Sequence, residues 1–263
     1  MVNWASSSSN RKIVLRSIDC SRLVVSSLDR YLYLSIQGSL DQTTILTAAV
    51  GTASQCLSLH SLGTVVQTCP CETSLRHHLS KLSLFSLESL NHWILFHSCS
   101  LLLIPGRKYQ FAIDLTNDPY YGKIDEQNKD YIILGQKKKS TKKFYTYVSL
   151  YSMVRGERVT FAVFPVKVGE KTVDLVKKCI QVLREHFLKV EVLCLDRGFY
   201  AVDVFSYLQS EQIPYIVPVK KQSKQMVALL NREVPGFTPY SIGKRKKRVE
   251  TIIAIDVRRG RVD

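Results

Sequence analysis

The sequence predicts an α/β protein: a mixed sheet in the order strand, strand, strand, helix, strand, helix, strand, preceded by a helical domain. Three observations carry this. The hydrophobic period changes from helical to two at Pro105-Gly106. Beyond it, runs rich in Val, Ile, Tyr and Phe alternate with turn residues and two amphipathic stretches. Two motifs, Phe111-Ala112-Ile113-Asp114-Leu115-Thr116 and Val192-Leu193-Cys194-Leu195-Asp196-Arg197-Gly198-Phe199-Tyr200, each set one carboxylate at the end of a buried-strand pattern.

Residues 1–12 are polar and Ser-rich and read as a flexible start, not a signal peptide. Residues 13–104 read as a Leu/Ser-rich helical domain. Pro70-Cys71-Glu72-Thr73-Ser74 signals a helix start, and Leu75, Leu79, Leu82, Leu87 and Leu90 follow near helical spacing. The apolar run Trp93 to Ile104 spans 12 residues, includes His97, and is too short for a bilayer, so it fits a core helix. Few basic residues fall here, which favours packing or dimerisation over binding of DNA ends.

The core, residues 105–222, follows. Tyr109 to Thr116 reads as a strand and 117–135 as a polar loop. Lys142 to Val154 and Glu157 to Val168 form a hairpin across Arg155-Gly156. Thr172 to Leu188 is an amphipathic helix with Val173, Val176, Ile180, Leu183 and Phe187 on one face. Val190 to Asp196 is a short buried strand, Tyr200 to Ser210 a second helix and Pro214 to Val219 a fifth strand. Residues 223–263 read as the start of a β-rich insertion, with Val249 to Val257 alternating as a strand.

Hairpin-joined strands followed by alternating units match an RNase H-like mixed sheet. By that analogy the first and fourth strands are neighbours, which would bring together Asp114 and Asp196, 82 residues apart. Two such carboxylates repel, and a divalent cation is the natural compensation. The plainer readings are a cap from Asp114 to Thr116 and a turn-forming Asp196 paired with Arg197.

Net charge is 37 − 22 = +15. Residues 101–263 hold thirty Lys/Arg against seventeen Asp/Glu, so nearly all the excess accompanies the two motifs. That pattern suits a polyanion such as nucleic acid, although a solubilising surface has the same composition. Lys137, Lys138, Lys139, Lys142 and Lys143 form one cluster; Lys244, Arg245, Lys246, Lys247 and Arg248 form another. Both clusters suit phosphate contact, and each suits a solvated loop equally well; Arg197 suits a phosphate contact and a plain ion pair equally. Tyr120 and Tyr121 are expected to pack over the domain edge, not to stack on a base. The seven cysteines, Cys69-Pro70-Cys71 included, lack zinc-ligand spacing and read as reduced thiols.

At Ala112-Ile113-Asp114-Leu115-Thr116, Pro119-Tyr120-Tyr121-Gly122-Lys123 and Leu195-Asp196-Arg197-Gly198-Phe199-Tyr200, the sequence resembles the DDE transposases of bacterial and archaeal insertion sequences. Phe144-Tyr145-Thr146-Tyr147 and Ile216-Val217-Pro218-Val219-Lys220 are similar to that group too. The resemblance implies an RNase H-like core with two Asp and one Glu around two Mg²⁺ (or Mn²⁺) ions, cutting and joining element ends. It makes Asp114 and Asp196 the first two catalytic acids and metal ligands. It implies terminal inverted repeats and target DNA as partners, a homodimer or an assembly with full-length transposase, and a cytoplasmic, nucleoid-associated location without a membrane.

The family's Glu lies in a Tyr-x-x-Arg-x-x-x-Glu pattern. None of Tyr200, Tyr207, Tyr215 and Tyr240 has Arg three residues on, and Glu211, Glu233 and Glu250 lack the context. The expectation is a chain cut short before its third acid and inactive, or nearly so, alone. Two other readings stay open: a non-catalytic, DNA-binding or regulatory transposase fragment, and an unrelated RNase H-like nuclease.

Overall fold

A computed structural model of the chain describes residues 17–66, 69–82, 84–99, 102–154, 156–220, 224–231, 235–244 and 247–255. The start expected at 1–12 lies outside them. The chain divides into two compact units, Met1–Leu90 and Asn91–Asp263.

The first unit contains α1 (Ser17–Tyr31), α2 (Gln42–Gln55), α3 (Leu59–Val65), α4 (Glu72–Leu79) and the beginning of α5 (Leu84–Cys99). Its core is Val25, Leu32, Leu34, Ile45, Leu46, Ala48, Leu62 and Leu75. Leu79, Leu82, Leu87 and Leu90 pack half-buried against it, so the leucine spacing is shared between α4 and α5. Asp41 starts α2 by accepting the Thr44 N–H at 2.7 Å, and that bond holds its carboxyl below the usual range. Gln42 ties down the preceding link: it accepts the Leu34 N–H at 2.7 Å and donates to the Leu32 carbonyl at 2.8 Å.

The second unit is built on a mixed sheet. Its elements are β1 (Lys108–Pro119), β2 (Ile132–Lys138), β3 (Thr141–Val154), β4 (Glu157–Pro165), α6 (Thr172–Glu185), β5 (Lys189–Leu195), a 3₁₀ turn (Arg197–Phe199), α7 (Val202–Ser210) and β6 (Tyr215–Ile216). The order across the sheet is β4-β3-β1-β5-β6, with β2 sharing β3's outer edge with β4. β3 runs antiparallel to β1 and β4; β5 is parallel to β1, and β6 to β5. This is the RNase H-like order, and the expected neighbours, the first and fourth strands of the sequence reading, are β1 and β5.

One face of the sheet is the core. Phe111, Ile113, Val148, Leu150, Phe161, Leu193 and Leu195 pack with Leu175, Val176, Cys179, Ile180 and Leu183 of α6 and with Val204, Phe205 and Leu208 of α7. Each such fully buried side chain contributes about 1.5–3 kcal/mol. The second half of α5 belongs here as well: the Asn91 amide donates to the Val163 carbonyl at 2.9 Å, and the Cys99 thiol to that of Thr160 at 3.3 Å. At Gly106, whose φ is +82°, the N–H bonds the Phe187 carbonyl at 2.7 Å before β1 begins.

Several boundaries differ from the sequence reading. β1 runs on to Pro119 because β3 is long enough to pair with it there, at Phe144. Ile132–Lys138 is an edge strand, not part of a loop. The helix expected to reach Leu188 stops at Glu185, because Phe187 takes a φ of +56°. The fifth strand shrinks to two residues. Beyond it come α8 (Lys224–Leu230) and a hairpin, β7 (Gly236–Lys244) with β8 (Lys247–Ile255), of which only the second strand was expected. Among the described residues no helix is long and apolar enough to cross a membrane.

Candidate functional site

Strand alternation decides which side chains leave the core. In β1, Phe111 and Ile113 point inward, so Ala112, Asp114 and Thr116 belong to the other face. In β5, Leu193 and Leu195 point inward, so Cys194 and Asp196 belong to that same other face. Ile113 and Leu195 are partners in the parallel ladder, and the next step brings Asp196 beside Asp114. The Asp196 N–H donates to the Ile113 carbonyl at 3.2 Å and locks that step. The strands are about 4.8 Å apart at such a pair.

Asp114 does not end its strand, as the motif alone suggested. It marks the end of the β1–β5 pairing, while β1 continues against β3. Its cross-strand neighbour there is Ser149, which is 8% exposed. Asp114 is half-buried, and among the described residues its carboxylate has no hydrogen bond or ion pair; it does not cap Thr116. Leaving a carboxylate so placed without a partner is costly unless a cation joins it.

Asp196 is exposed and turns the chain. Its carboxylate accepts the backbone N–H groups of Arg197 at 2.6 Å and Gly198 at 3.2 Å, opening the 3₁₀ turn. The Arg197 guanidinium is exposed and makes no ion pair with it among the described residues. Gly198 fits tightly here: a Cβ would lie 3.1 Å from Leu115 Cδ1 and 3.3 Å from Asp196 Oδ2, so a larger residue requires those side chains to shift.

Two carboxylates on adjacent strands are hard oxygen donors, and the chemistry fits Mg²⁺ or Mn²⁺ better than zinc. They do not make a complete site. Among the described residues no group of three His, Cys, Asp or Glu is placed to hold a metal ion. Glu211 is engaged in an ion pair with Arg184, and Glu250 sits exposed on β8, its carbonyl accepting from Gln209 at 2.7 Å. Glu233 lies outside the described residues.

The first basic cluster is one hairpin. Lys137 and Lys138 end β2, Lys142 and Lys143 begin β3, and Lys139-Ser140 make the two-residue turn between them. Lys137, Lys138, Lys139 and Lys142 are exposed. The Tyr121 hydroxyl donates to the Lys139 carbonyl at 2.8 Å, which ties the 119–123 motif to the hairpin tip. Tyr120 packs edge-on against Tyr145, 5.3 Å between ring centres, and the Lys143 ammonium sits 5.8 Å over its ring. The second cluster spans the β7–β8 turn. Lys247 and Arg248 are exposed, with Lys247 reaching Asp203 at 3.7 Å and Arg248 bonding Ser241. Arg245, Lys246 and the Lys244 side chain lie outside the described residues.

Sequence reasoning passed over Arg158. Its guanidinium lies 3.8 Å above the Tyr151 ring and 3.4 Å from Ser149 Oγ. Its strand position carried no signal, since β4 changes phase at a bulge that only the pairing reveals: Leu150 pairs Ala162 but Tyr151 pairs Thr160.

No family model matches the chain, and no curated protein matches it. Among solved structures, the chain is similar to a piggyBac transposase in a synaptic complex with hairpin DNA, determined by cryo-electron microscopy. The identity is 12% and the TM-score 0.42, over 89% of this chain and 57% of that one. The chain thus spans little more than half the length of the transposase it matches.

Proposed function

We propose that this chain is a transposase-type DNA-processing protein, with Asp114 and Asp196 as two acids of a phosphoryl-transfer centre. The observation that carries the reading is the placement of these two residues side by side at the end of the β1–β5 pairing, the carboxylate of the first without a hydrogen bond or ion pair among the described residues. Asp114 and Asp196 would hold a Mg²⁺ or Mn²⁺ ion, which when bound supplies charge neutralisation and Lewis-acid activation at a phosphodiester. The backbone N–H groups of Arg197 and Gly198 orient the Asp196 carboxylate. The β2–β3 lysines, Arg197, Lys247 and Arg248 supply cations for the DNA backbone; these contacts position a duplex without reading its sequence. Element ends and target DNA are the partners this role implies.

With two acids and no third ligand beside them among the described residues, the reading is of binding without efficient cutting. The test uses the full chain. Mn²⁺ binding followed by electron paramagnetic resonance is expected in the wild type and lost in Asp114→Asn and in Asp196→Asn. A Mg²⁺-dependent nicking assay on duplex DNA is expected to show little or no cleavage. Mn²⁺ affinity unchanged in both variants would sink the assignment of the acids. Vigorous cleavage abolished by Asp114→Asn would instead point to a self-sufficient nuclease.

A further inference from the structure

Resting on the DNA-processing role of the same face, we propose that Arg158 is a phosphate-binding residue, seating the nucleic-acid strand that lies across Asp114. The bulge makes this placement. Between Leu150 and Tyr151 the register of β3 against β4 slips by one, leaving Phe161 extra. Counting back from Val163, the partner of Ser149, an unbroken alternation would send Arg158 toward the core and Val159 away from it. The slip reverses this: Val159 and Phe161 are 8% and 1% exposed, and Arg158 stands out on the face that carries Asp114. Bulges re-aim side chains in this way.

The guanidinium is held in place once there. Tyr151 lies beneath it at 3.8 Å, and Ser149 Oγ accepts at 3.4 Å from one terminal nitrogen. Ser149 is also the residue directly opposite Asp114 across β1 and β3. Tyr151, Ser149 and Asp114 therefore form a continuous path over the face. Among the described residues Arg158 has no carboxylate partner. Its other N–H donors stay available, in the planar fork that matches a phosphate. A phosphodiester approaching two aspartates meets like charge, and a fixed cation one strand away offsets it.

The test is fluorescence anisotropy of a labelled duplex DNA of arbitrary sequence with the full chain, over a series of KCl concentrations. Wild type, Arg158→Gln, Arg158→Lys and a Lys137→Gln/Lys138→Gln variant are compared, each checked for folding by circular dichroism. Arg158→Gln is expected to bind about tenfold more weakly. Its salt slope should fall by about 0.9, the share of one phosphate contact. Arg158→Lys should restore the slope and part of the affinity, since lysine still supplies the charge. An Arg158→Gln variant with wild-type affinity and slope, beside a weakened lysine variant, overturns the phosphate role and leaves the wider reading standing. An unchanged slope with Arg158→Lys as weak as Arg158→Gln makes Arg158 a packing residue and overturns it too. A wild type that binds no DNA removes both.

Discussion

Asp196 and Ile113 are joined by a single backbone hydrogen bond of 3.2 Å, one step beyond the last β1–β5 partners. That bond sets the spacing of the two aspartates, because Asp114 is the next residue after Ile113. Ile113 is 1% exposed, so its side chain is also an anchor of the core. Ile113→Val should cost about 0.5–1.5 kcal/mol and Ile113→Ala about 2–5 kcal/mol in urea unfolding. Asp114→Asn should leave stability unchanged or raise it slightly without metal, since it removes a half-buried charge that has no partner among the described residues. A loss of several kcal/mol in Asp114→Asn would reveal a structural role for that acid.

Gly198 fits closely between Leu115 and Asp196 in the turn. Gly198→Ala is expected to destabilise by about 1–3 kcal/mol, as its methyl crowds Leu115 Cδ1. Leu115→Ala should recover part of that loss, and a double-mutant cycle between the two positions measures the coupling. Strict additivity would mean that the crowding is relieved elsewhere.

The β2–β3 turn is strained. Lys139 and Ser140 hold φ values of +46° and +66°, the two left-handed residues of a turn that favours Asn-Gly. Replacing them by Asn and Gly should raise stability by about 1 kcal/mol in denaturant unfolding. DNA affinity should drop only by what the lost Lys139 charge contributes, which a salt titration reports.

Two histidines give the fold a pH dependence. Among the described residues, His78 Nδ1 and His186 Nε2 are buried without a hydrogen-bond partner. Burial, aided by Lys81 and His77 at the first and by His92 at the second, holds both below the usual imidazole range. The unfolded chain therefore takes up protons first as pH falls. The stability is complete above about pH 6.5 and declines below it, toward the depressed folded values. Urea midpoints at about pH 7.5 and about pH 5.5 should differ in that direction. The difference should shrink in a His78→Gln/His186→Gln variant; a midpoint that rises on acidification contradicts the assignment.

The thiols should separate cleanly by reactivity. Cys71 is exposed, and the Thr73 backbone N–H holds its thiol below the usual range. Cys179 is fully buried in α6 and pushed up to about 12. Alkylation followed by mass spectrometry should label Cys71 early and Cys179 only on unfolding. Early labelling of Cys179 would show that α6 opens readily.

Local patterning revealed what local forces determine. The stripe of α6 and the apolar runs around Asp114 and Asp196 could be read directly, and the pairing of β1 with β5 follows from their order. Features set by distant partners were hidden. The length of β1 depends on how far β3 reaches alongside it. β2 is an edge strand whose second half is Gly135-Gln136-Lys137-Lys138, so it looks like loop. β7 contains Gly236, Pro239 and Gly243, which read as breakers, yet it pairs along its whole length with β8. The phase slip at Phe161 leaves no trace in composition, and Arg158 was missed for that reason.

The sheet grips its two acids unequally. Asp114 sits within β1, paired on one flank with Ser149 of β3, whereas Asp196 rides on a short turn held by its own carboxylate. For the proposed cation, adjustment to its radius would therefore fall to the turn. A larger ion would be met by the exposed Asp196 side chain and the Arg197-Gly198 segment, with Phe199 anchored in the core and the strands standing still.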